Sequence, residues 1–156
     1  WEPKANIKMI KGMLTTAIFE VVEKMYYVFS EPVQADGENY QMKSSINFSG
    51  PVSGEIHILL NRSIAETMVK NMLGLDEDEI NEVIMADCIK ESINMICWNF
   101  LRKLDPDRVF HLSIPTFEMI SEDLHHGQEG RDQEVHLTFA ADNGNMAVVM
   151  MAAGIL

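Results

Sequence analysis

Basic residues are scarce in this sequence of 156 residues, where 12 Lys and Arg stand against 24 Asp and Glu for a formal net charge of -12. A protein that binds nucleic acid or an anionic membrane surface needs a positive patch to meet the phosphates. The deficit of positive charge therefore argues against nucleic acid, and against an anionic membrane, as the main partner.

The sequence also lacks a long apolar run. The longest one covers residues 147–156, whereas a membrane-spanning helix needs about 20 apolar residues. Near the other end, Lys4, Lys8 and Lys11 interrupt the apolar residues, so the continuous apolar core of a signal peptide is missing. With 47% apolar and 23% charged residues, the composition predicts one globular, cytoplasmic domain over residues 1–156.

Cysteine is almost absent, with only Cys88 and Cys97. In a predicted helix these residues point to opposite faces, about 13 Å apart along the axis, so they cannot form a disulfide with each other. Their spacing does not match a zinc site, and we interpret both as small apolar residues in a reducing compartment. The adjacent histidines His125 and His126 are more typical of a polar loop than of a facing ligand pair. We therefore expect no metal site.

Motifs for nucleotide hydrolysis and for serine hydrolysis are missing as well. The sequence contains no Gly-x-x-x-x-Gly-Lys loop, no Gly-x-Gly-x-x-Gly fingerprint and no Gly-x-Ser-x-Gly elbow. A function in either class therefore has no support in the sequence.

The spacing of apolar residues and the positions of Gly and Pro divide the chain into helices and strands. The predicted helices cover about 5–29, 63–74 and 77–104, and the predicted strands about 40–49, 54–60, 109–114, 116–120, 134–141 and 146–152. The segregated order predicts an α+β fold in which long helices pack on an antiparallel sheet. Because a helix followed by strands occurs twice at unequal spacing, we also expect a divergent internal duplication.

Local signals place several boundaries within this scheme. Ser63 with Glu66, and Asp76 with Glu79, form capping-box patterns that predict the starts of the second and third helices. The sequence Asp-Asn-Gly-Asn at 142–145 is typical of a tight hairpin turn, since Asn and Gly tolerate positive φ. The first helix is expected to bury an apolar stripe that begins at Ile7 and ends at Val28, and the acidic stretch 121–133 is expected to be a loop.

The third predicted helix has two different faces when its residues are placed at 100° intervals. One side carries the apolar stripe that is expected to face the core: Ile89, Ile93, Ile96 and Phe100. The opposite side carries four residues within about 60° of one another, which we call the ridge: Asp87, Glu91, Asn94 and Trp98. Asp and Asn form helices poorly, and an outward Trp exposes apolar area. The ridge is therefore either an ordinary solvated face or a recognition surface with Trp98 as its anchor.

A family resemblance favours the second interpretation. The pattern Asp87-x-x-x-Glu91-x-x-Asn94, followed by Pro115 in Ser113-Ile114-Pro115-Thr116, resembles the signature of the CheX/CheC/FliY family. Members of that family are chemotaxis phosphatases that act on the phosphorylated response regulator CheY. The order of predicted helices and strands is similar to that family's fold over nearly the whole chain.

The resemblance implies a role for each matching residue. Glu91 is expected to contact a lysine of the regulator, and Asn94 to enter the regulator's active site and orient the attacking water. Asp87 and Pro115 are expected to shape the helix surface rather than react. Trp98 is not a signature position, and its outward indole is the reason to expect that it binds the partner. The resemblance further implies a homodimer that pairs through its sheets, to which the apolar strand 147–152 would contribute.

Family members with two sites carry one signature on each long helix, and here the first helix departs from that pattern. Its Thr16-x-x-x-Glu20-x-x-Glu23 has a carboxylate where the amide should be. A carboxylate there would bring negative charge toward a phosphoryl group, so we expect this half to be inactive. The departure favours the single-site, CheX-like type.

The expected chemistry needs few groups from this chain. Phosphoaspartate is an activated acyl phosphate, and the regulator is expected to supply its own Mg²⁺ and lysine, so no cofactor is expected here. A neutral amide can place a water in line with phosphorus by its donor and acceptor geometry alone. The alternative is a module of the same fold that binds a response regulator or a flagellar-switch component without hydrolysis.

Overall fold

The computed structural model describes residues 6–24, 39–120 and 134–153. Three helices and six strands are found there, together with one 3-10 turn at Glu77–Glu79. In chain order they are α1 (Ile7–Lys24), β1 (Met42–Ser49), β2 (Ser53–Leu60), α2 (Arg62–Leu73), α3 (Glu82–Leu104), β3 (His111–Leu112), β4 (Thr116–Met119), β5 (Glu134–Ala141) and β6 (Gly144–Ala153). The predicted loop 121–133 lies outside the described residues. No helix of the described ranges is both long and apolar enough to cross a membrane.

All six strands belong to one antiparallel sheet. The order across it is β3-β1-β2-β6-β5, and β4 pairs with β1 along the same edge as β3. The hairpins β1–β2 and β5–β6 meet at the centre, where β2 pairs with β6. This layout confirms the predicted α+β fold, and two helix-plus-hairpin units placed side by side are what a divergent duplication would produce.

The helices form one layer on the sheet. Helix α3 lies over β4, β1 and β2, whereas α1 lies over β5 and packs along α3. The rings of Phe19 on α1 and Phe139 on β5 meet edge to face, with 5.4 Å between their centroids. Helix α2 contacts β6 and α3. The main apolar core fills the space between this helical layer and the sheet.

The apolar stripe of α1 is buried as predicted, except at its first residue. Leu14 and Val21 have no exposed surface, but Ile7 is 48% exposed. Side chains on a helix lean toward its N-terminus. Ile7 opens α1, so its side chain points past the end of the helix instead of onto the sheet. The predicted member Val28 lies outside the described residues.

The prediction that Ser63 caps the second helix is wrong. Helix α2 begins one residue earlier, with Asn61 at the N-cap position. The Ser63 hydroxyl instead donates to the Asn143 carbonyl at 2.8 Å, in the turn between β5 and β6. Asn143 in turn donates from its amide to the Ser63 carbonyl at 3.0 Å. Ser63 therefore fastens α2 to the predicted hairpin turn, a long-range contact that a local capping pattern does not reveal.

The second predicted capping box is present, but it caps the 3-10 turn and not helix α3. Asp76 and Glu79 cap the 3-10 turn reciprocally. Helix α3 starts only at Glu82, where the side-chain oxygen of Asn81 accepts a hydrogen bond from the Ile84 N–H at 3.0 Å. The long helix therefore has its own N-cap, and it ends at Leu104 as predicted.

Strand β6 is a central strand. It is hydrogen-bonded to β2 on one edge and to β5 on the other. The expected contribution of residues 147–152 to pairing between two copies therefore cannot involve the edges of this strand. A second copy would have to meet one face of the sheet or another edge.

Gly54 of β2 lies close to both neighbouring strands, and a substitution there tests this packing. A Cβ atom at Gly54 would lie 2.5 Å from the Met151 carbonyl oxygen and 2.7 Å from the Phe48 ring. We expect Gly54→Ala to lower the free energy of unfolding by about 1–3 kcal/mol, the usual cost of overpacking. The matched control is Gly12→Ala in α1, where a Cβ meets nothing within 4 Å.

Gly12→Ala should raise the free energy of unfolding by about 0.5–1 kcal/mol, because Ala loses less entropy than Gly in a helix. Chemical denaturation of both variants measures the two changes. Equal effects of the two substitutions would contradict the described contact between β2, β1 and β6.

Candidate functional site

The ridge lies on the outward face of α3, opposite its buried stripe. Ile89, Ile93 and Phe100 have no exposed surface. Asp87, Glu91 and Trp98 are exposed, and Asn94 is half-buried between them. The helical spacing thus places the four predicted residues together on one surface, as expected.

Pairing within the ridge is uneven. The Asp87 carboxylate lies 3.8 Å from the Lys90 ammonium, in an exposed pair of the kind that contributes little to stability. Within the residues that the structure describes, the side chains of Glu91 and Asn94 make no hydrogen bond or ion pair. Being three positions apart on a helix, they are surface neighbours with Cβ atoms about 5–6 Å apart. A carboxylate and an amide are therefore presented side by side and available to a partner.

The frame under the ridge is held at both ends. Asn81 caps the start of α3, and the Asp105 N–H donates to the Leu101 carbonyl at 2.9 Å at its end. The Lys103 ammonium also pairs with the Glu20 carboxylate of α1. Together with the buried stripe, these contacts fix the direction in which the ridge points.

Pro115 occupies a bulge in the edge strand that lies beside α3. Leu112 pairs with Phe48, and Thr116 pairs with Ser45, so residues 113–115 stand opposite only two residues of β1. One extra residue on one strand is a β-bulge, and Pro is tolerated there because it has no N–H to offer a ladder. The Ser113 hydroxyl accepts a hydrogen bond from the Asn47 N–H at 2.9 Å on one side of the bulge. The two strands that the sequence predicted here, 109–114 and 116–120, are therefore shorter in the structure, as β3 and β4.

The first helix does not repeat the arrangement of the ridge. Its Glu20 is engaged with Lys103, and the Thr16 hydroxyl donates to the Gly12 carbonyl of its own helix at 2.9 Å. Glu23 is exposed. Of the residues at the positions of the second signature, only Glu20 thus joins α1 to α3, and the inactivity of this half stays a prediction.

Two basic residues near the ridge were missed in the sequence analysis. Arg102 follows Trp98 by one turn and is exposed on the same face, and Lys90 contacts Asp87. The helical periodicity that placed the ridge would also have placed Arg102. The role of Lys103 had no local signal, because its partner Glu20 is distant in sequence.

Both cysteines are buried, as interpreted from the sequence. Burial raises the pKa of Cys97 to about 12. Burial, and then the charge of Asp87, raise the pKa of Cys88. Because the thiolate is the reactive form, neither side chain is suited to nucleophilic catalysis at neutral pH.

A further polar cluster lies on the face of the sheet that α3 does not cover. The Ser45 hydroxyl lies 2.6 Å from His57 Nδ1, and His57 Nε2 lies 3.3 Å from the Glu55 carboxylate. His57 is buried, with only 9% of its surface accessible. Strand register brings these three residues together, so the single sequence did not reveal them. Burial, as the largest cause, lowers the pKa of His57, with Glu55 opposing the shift.

An acidic cluster in the described residues has ligand-like spacing. The carboxylates of Asp76, Asp78 and Glu79 lie within 4.8 Å of one another. All three residues are exposed, and Asp76 and Glu79 are engaged in the capping box. The histidines His125 and His126 lie outside the described residues. The cluster therefore gives no ground to revise the expectation of no metal site.

Solved structures define the class to which this fold belongs. CheX from Vibrio vulnificus superposes with a TM-score of 0.75 at 17% identity, covering 93% of this chain and 99% of that one. CheX from Desulfovibrio desulfuricans gives 0.72 at 19% identity, with 93% and 99% covered. The CheX–CheY–BeF₃–Mg²⁺ complex from Borrelia burgdorferi gives 0.69 at 19% identity, with 92% and 97% covered. The chain thus has the fold of CheC/CheX-like chemotaxis proteins.

The family follows from the sequence itself. The family model for the chemotaxis phosphatase CheX matches residues 42–140, which include α3, the whole ridge and Pro115. This chain therefore belongs to the CheX family of chemotaxis phosphatases. No curated protein matches it in sequence.

The buried His57 generates a prediction about pH. Since its pKa is lowered in the folded state, the unfolded chain binds this proton more readily, so the contribution of His57 to the free energy of unfolding falls as the pH drops below about 6.5. We expect His57→Gln to make this decrease smaller between about pH 7 and pH 5.5. His111→Gln, at an exposed histidine of β3, is the matched control.

Urea denaturation at a series of pH values measures the effect. The His57 variant loses a hydrogen bond to Ser45, so it is expected to be less stable at pH 7, and the readout is the slope against pH. An unchanged slope would contradict a neutral, buried His57.

Proposed function

We propose that this chain dephosphorylates a phospho-aspartyl receiver of the CheY type, with Glu91 and Asn94 as its working pair. The observation that carries the proposal is the unpaired carboxylate and the half-buried amide, side by side on the outward face of α3. Membership of a chemotaxis phosphatase family supports the reaction class. The relative from Borrelia burgdorferi, which was solved in complex with CheY, supports the kind of partner.

Asn94 is proposed to orient the attacking water. Its amide has a carbonyl that accepts and an NH₂ group that donates, so one side chain can hold a water and also contact a phosphoryl oxygen. The amide carries no charge and therefore does not repel the phosphoryl group. Holding the water in line with phosphorus lowers the entropic part of the barrier, as the catalytic Gln does in GTPases.

Glu91 is proposed to align the receiver on this chain. Its carboxylate would meet a lysine of the receiver, and the helix spacing would then bring Asn94 to the phosphoryl group. The receiver is expected to supply Mg²⁺ and its own lysine to neutralise charge, so this chain needs no cofactor. Asp87 and Pro115 would shape the surface, and the indole of Trp98, which is 39% exposed, would anchor the partner.

The remaining parts of the proposal concern the state of the protein. We propose a cytoplasmic homodimer that meets phosphorylated receivers, and no nucleic acid or membrane partner. The net charge of -12 supports the exclusion of polyanions. Because both edges of β6 are bonded, we place the contact between copies elsewhere on the sheet.

Asn94→Ala tests the catalytic role. We expect the rate of phosphate release at saturating receiver to fall about 10²-fold or more, the scale of loss when a reacting group is misplaced by about 1 Å. Thermal stability should be unchanged or slightly higher, since Ala is the better helix former and the side chain faces away from the core stripe. The matched control is Asn99→Ala, which removes the same amide from a position of α3 off the ridge.

The measurement is phosphate release against receiver concentration, with thermal melts of each variant. A rate equal to that of the unmodified chain, in an Asn94→Ala protein that melts normally, would end the assignment of the site. Retained receiver binding without any acceleration by the unmodified chain would leave the binding module as the function.

Glu91→Gln tests the contact with the receiver. Removing the charge while keeping the shape should raise the half-saturating receiver concentration about tenfold, a typical loss for one partner of a charge pair, and also lower turnover. The difference from the unmodified chain should shrink at high salt, because salt screens the attraction. Glu82→Gln, at an exposed carboxylate in the first turn of α3, is the control. Equal responses of the two variants would remove Glu91 from the interface.

A further inference from the structure

We propose that the receiver-binding surface extends from the ridge onto the neighbouring sheet edge, where Ile114 and Met119 make the apolar contacts that select the receiver. This inference rests on the proposed function. It adds two residues to which neither the family signature nor the chemistry of dephosphorylation assigns a role.

Most of the exposed large apolar side chains belong to α3 or to the segment that follows it. Among the described residues, eight large hydrophobic side chains are exposed, and five of them belong to α3 or to the segment 109–119: Val83, Trp98, Val109, Ile114 and Met119. Ile114 is the most exposed of all, at 88%. Single exposed apolar residues need no explanation, but several beside a polar site are typical of an interaction surface.

The sheet topology places this edge beside the ridge. Helix α3 lies over β4 and β1, at one edge of the sheet, while α1 lies over β5, at the other. One flank of α3 is therefore covered by α1, and its other flank faces the β3–β4 edge. Because α3 contacts β4, a partner docked on the ridge would lie next to this edge.

Met119 faces the helical side of the sheet. It stands opposite Met42, which is fully buried under the helices, and it points to the same face as Phe117, which lies two residues earlier and packs on the core. Met119 itself is 42% exposed. The helix-facing side of β4 thus begins in the core and ends in solvent beside α3, where an apolar side chain can meet a partner docked on the ridge.

The bulge at residues 113–115 indicates which kind of partner can bind this edge. Edge strands are usually protected from pairing by bulges, by Pro and by charged side chains. Here the bulge and Pro115 interrupt the ladder between β3 and β4, which disfavours the addition of a strand from a second copy. The bulge nevertheless exposes an apolar side chain, that of Ile114. A surface that discourages strand pairing but offers apolar contacts fits the folded surface of a receiver.

Four serine variants test the inference. Ile114→Ser and Met119→Ser remove the proposed contacts, and Leu73→Ser on α2 and Met9→Ser on α1 remove half-exposed side chains away from the edge. Phosphate release is measured against receiver concentration, with light scattering and thermal melts alongside. We expect the first two variants to raise the half-saturating receiver concentration about fivefold to tenfold. The saturating rate, the mass and the melting temperature should be unchanged, and the controls should match the unmodified chain.

Two results would overturn the inference. Equal responses of Ile114→Ser, Met119→Ser and the controls would remove the edge from the interface, and a loss of rate in Asn94→Ala in the same experiment would show that the proposed function still stands. A change in mass with an unchanged dependence on receiver would assign the edge to a second copy.

A binding measurement covers the case in which no receiver is dephosphorylated. Each variant is then titrated with a receiver treated with BeF₃⁻ as a phosphoryl mimic. Weaker binding by Ile114→Ser and Met119→Ser alone would support the edge contacts without catalysis. No binding by the unmodified chain would overturn both the inference and the proposed function.

Discussion

The direction in which the ridge points is set by the packing of α3 on the sheet. Its stripe is buried against β1, β2 and β4, and α1 covers one flank. A helix packed in this way exposes one face to solvent. That face lies opposite the fully buried side chains of Ile89 and Ile93. Whatever stands opposite them is displayed on a rigid surface. Glu91 and Asn94 stand there, so the core of the protein orients its proposed site.

The two long helices differ in how their acidic residues are engaged. Glu20 of α1 lies at a position that could have belonged to a second site, but it is engaged with Lys103 of α3. The contact ties the two helices together near the end of α3. We interpret the first half of the fold as having kept a structural role, while the second half presents the carboxylate and the amide. This division accounts for an approximately symmetric sheet that carries one ridge.

The features that depend on local sequence could be predicted, and those that depend on register could not. The two faces of α3 follow from a period of 3.6 residues, so Asp87, Glu91, Asn94 and Trp98 could be placed on one surface without a structure. The hydrogen bonds between Ser63 and Asn143 join residues far apart in sequence, and so they defeated a local capping pattern. The burial of His57 and the bulge at Pro115 depend on which strands are neighbours. That order is set by long-range packing, on which a single sequence carries little information.

In the proposed reaction, α3 presents an amide to an acyl phosphate on a partner and needs no reactive group of its own. The most direct measurement is the rate at which a phosphorylated CheY-type receiver loses phosphate, with and without catalytic amounts of this chain. We expect an acceleration that saturates with receiver concentration and exceeds one turnover per chain. Failure to accelerate the loss of phosphate from any receiver of the same organism would contradict it.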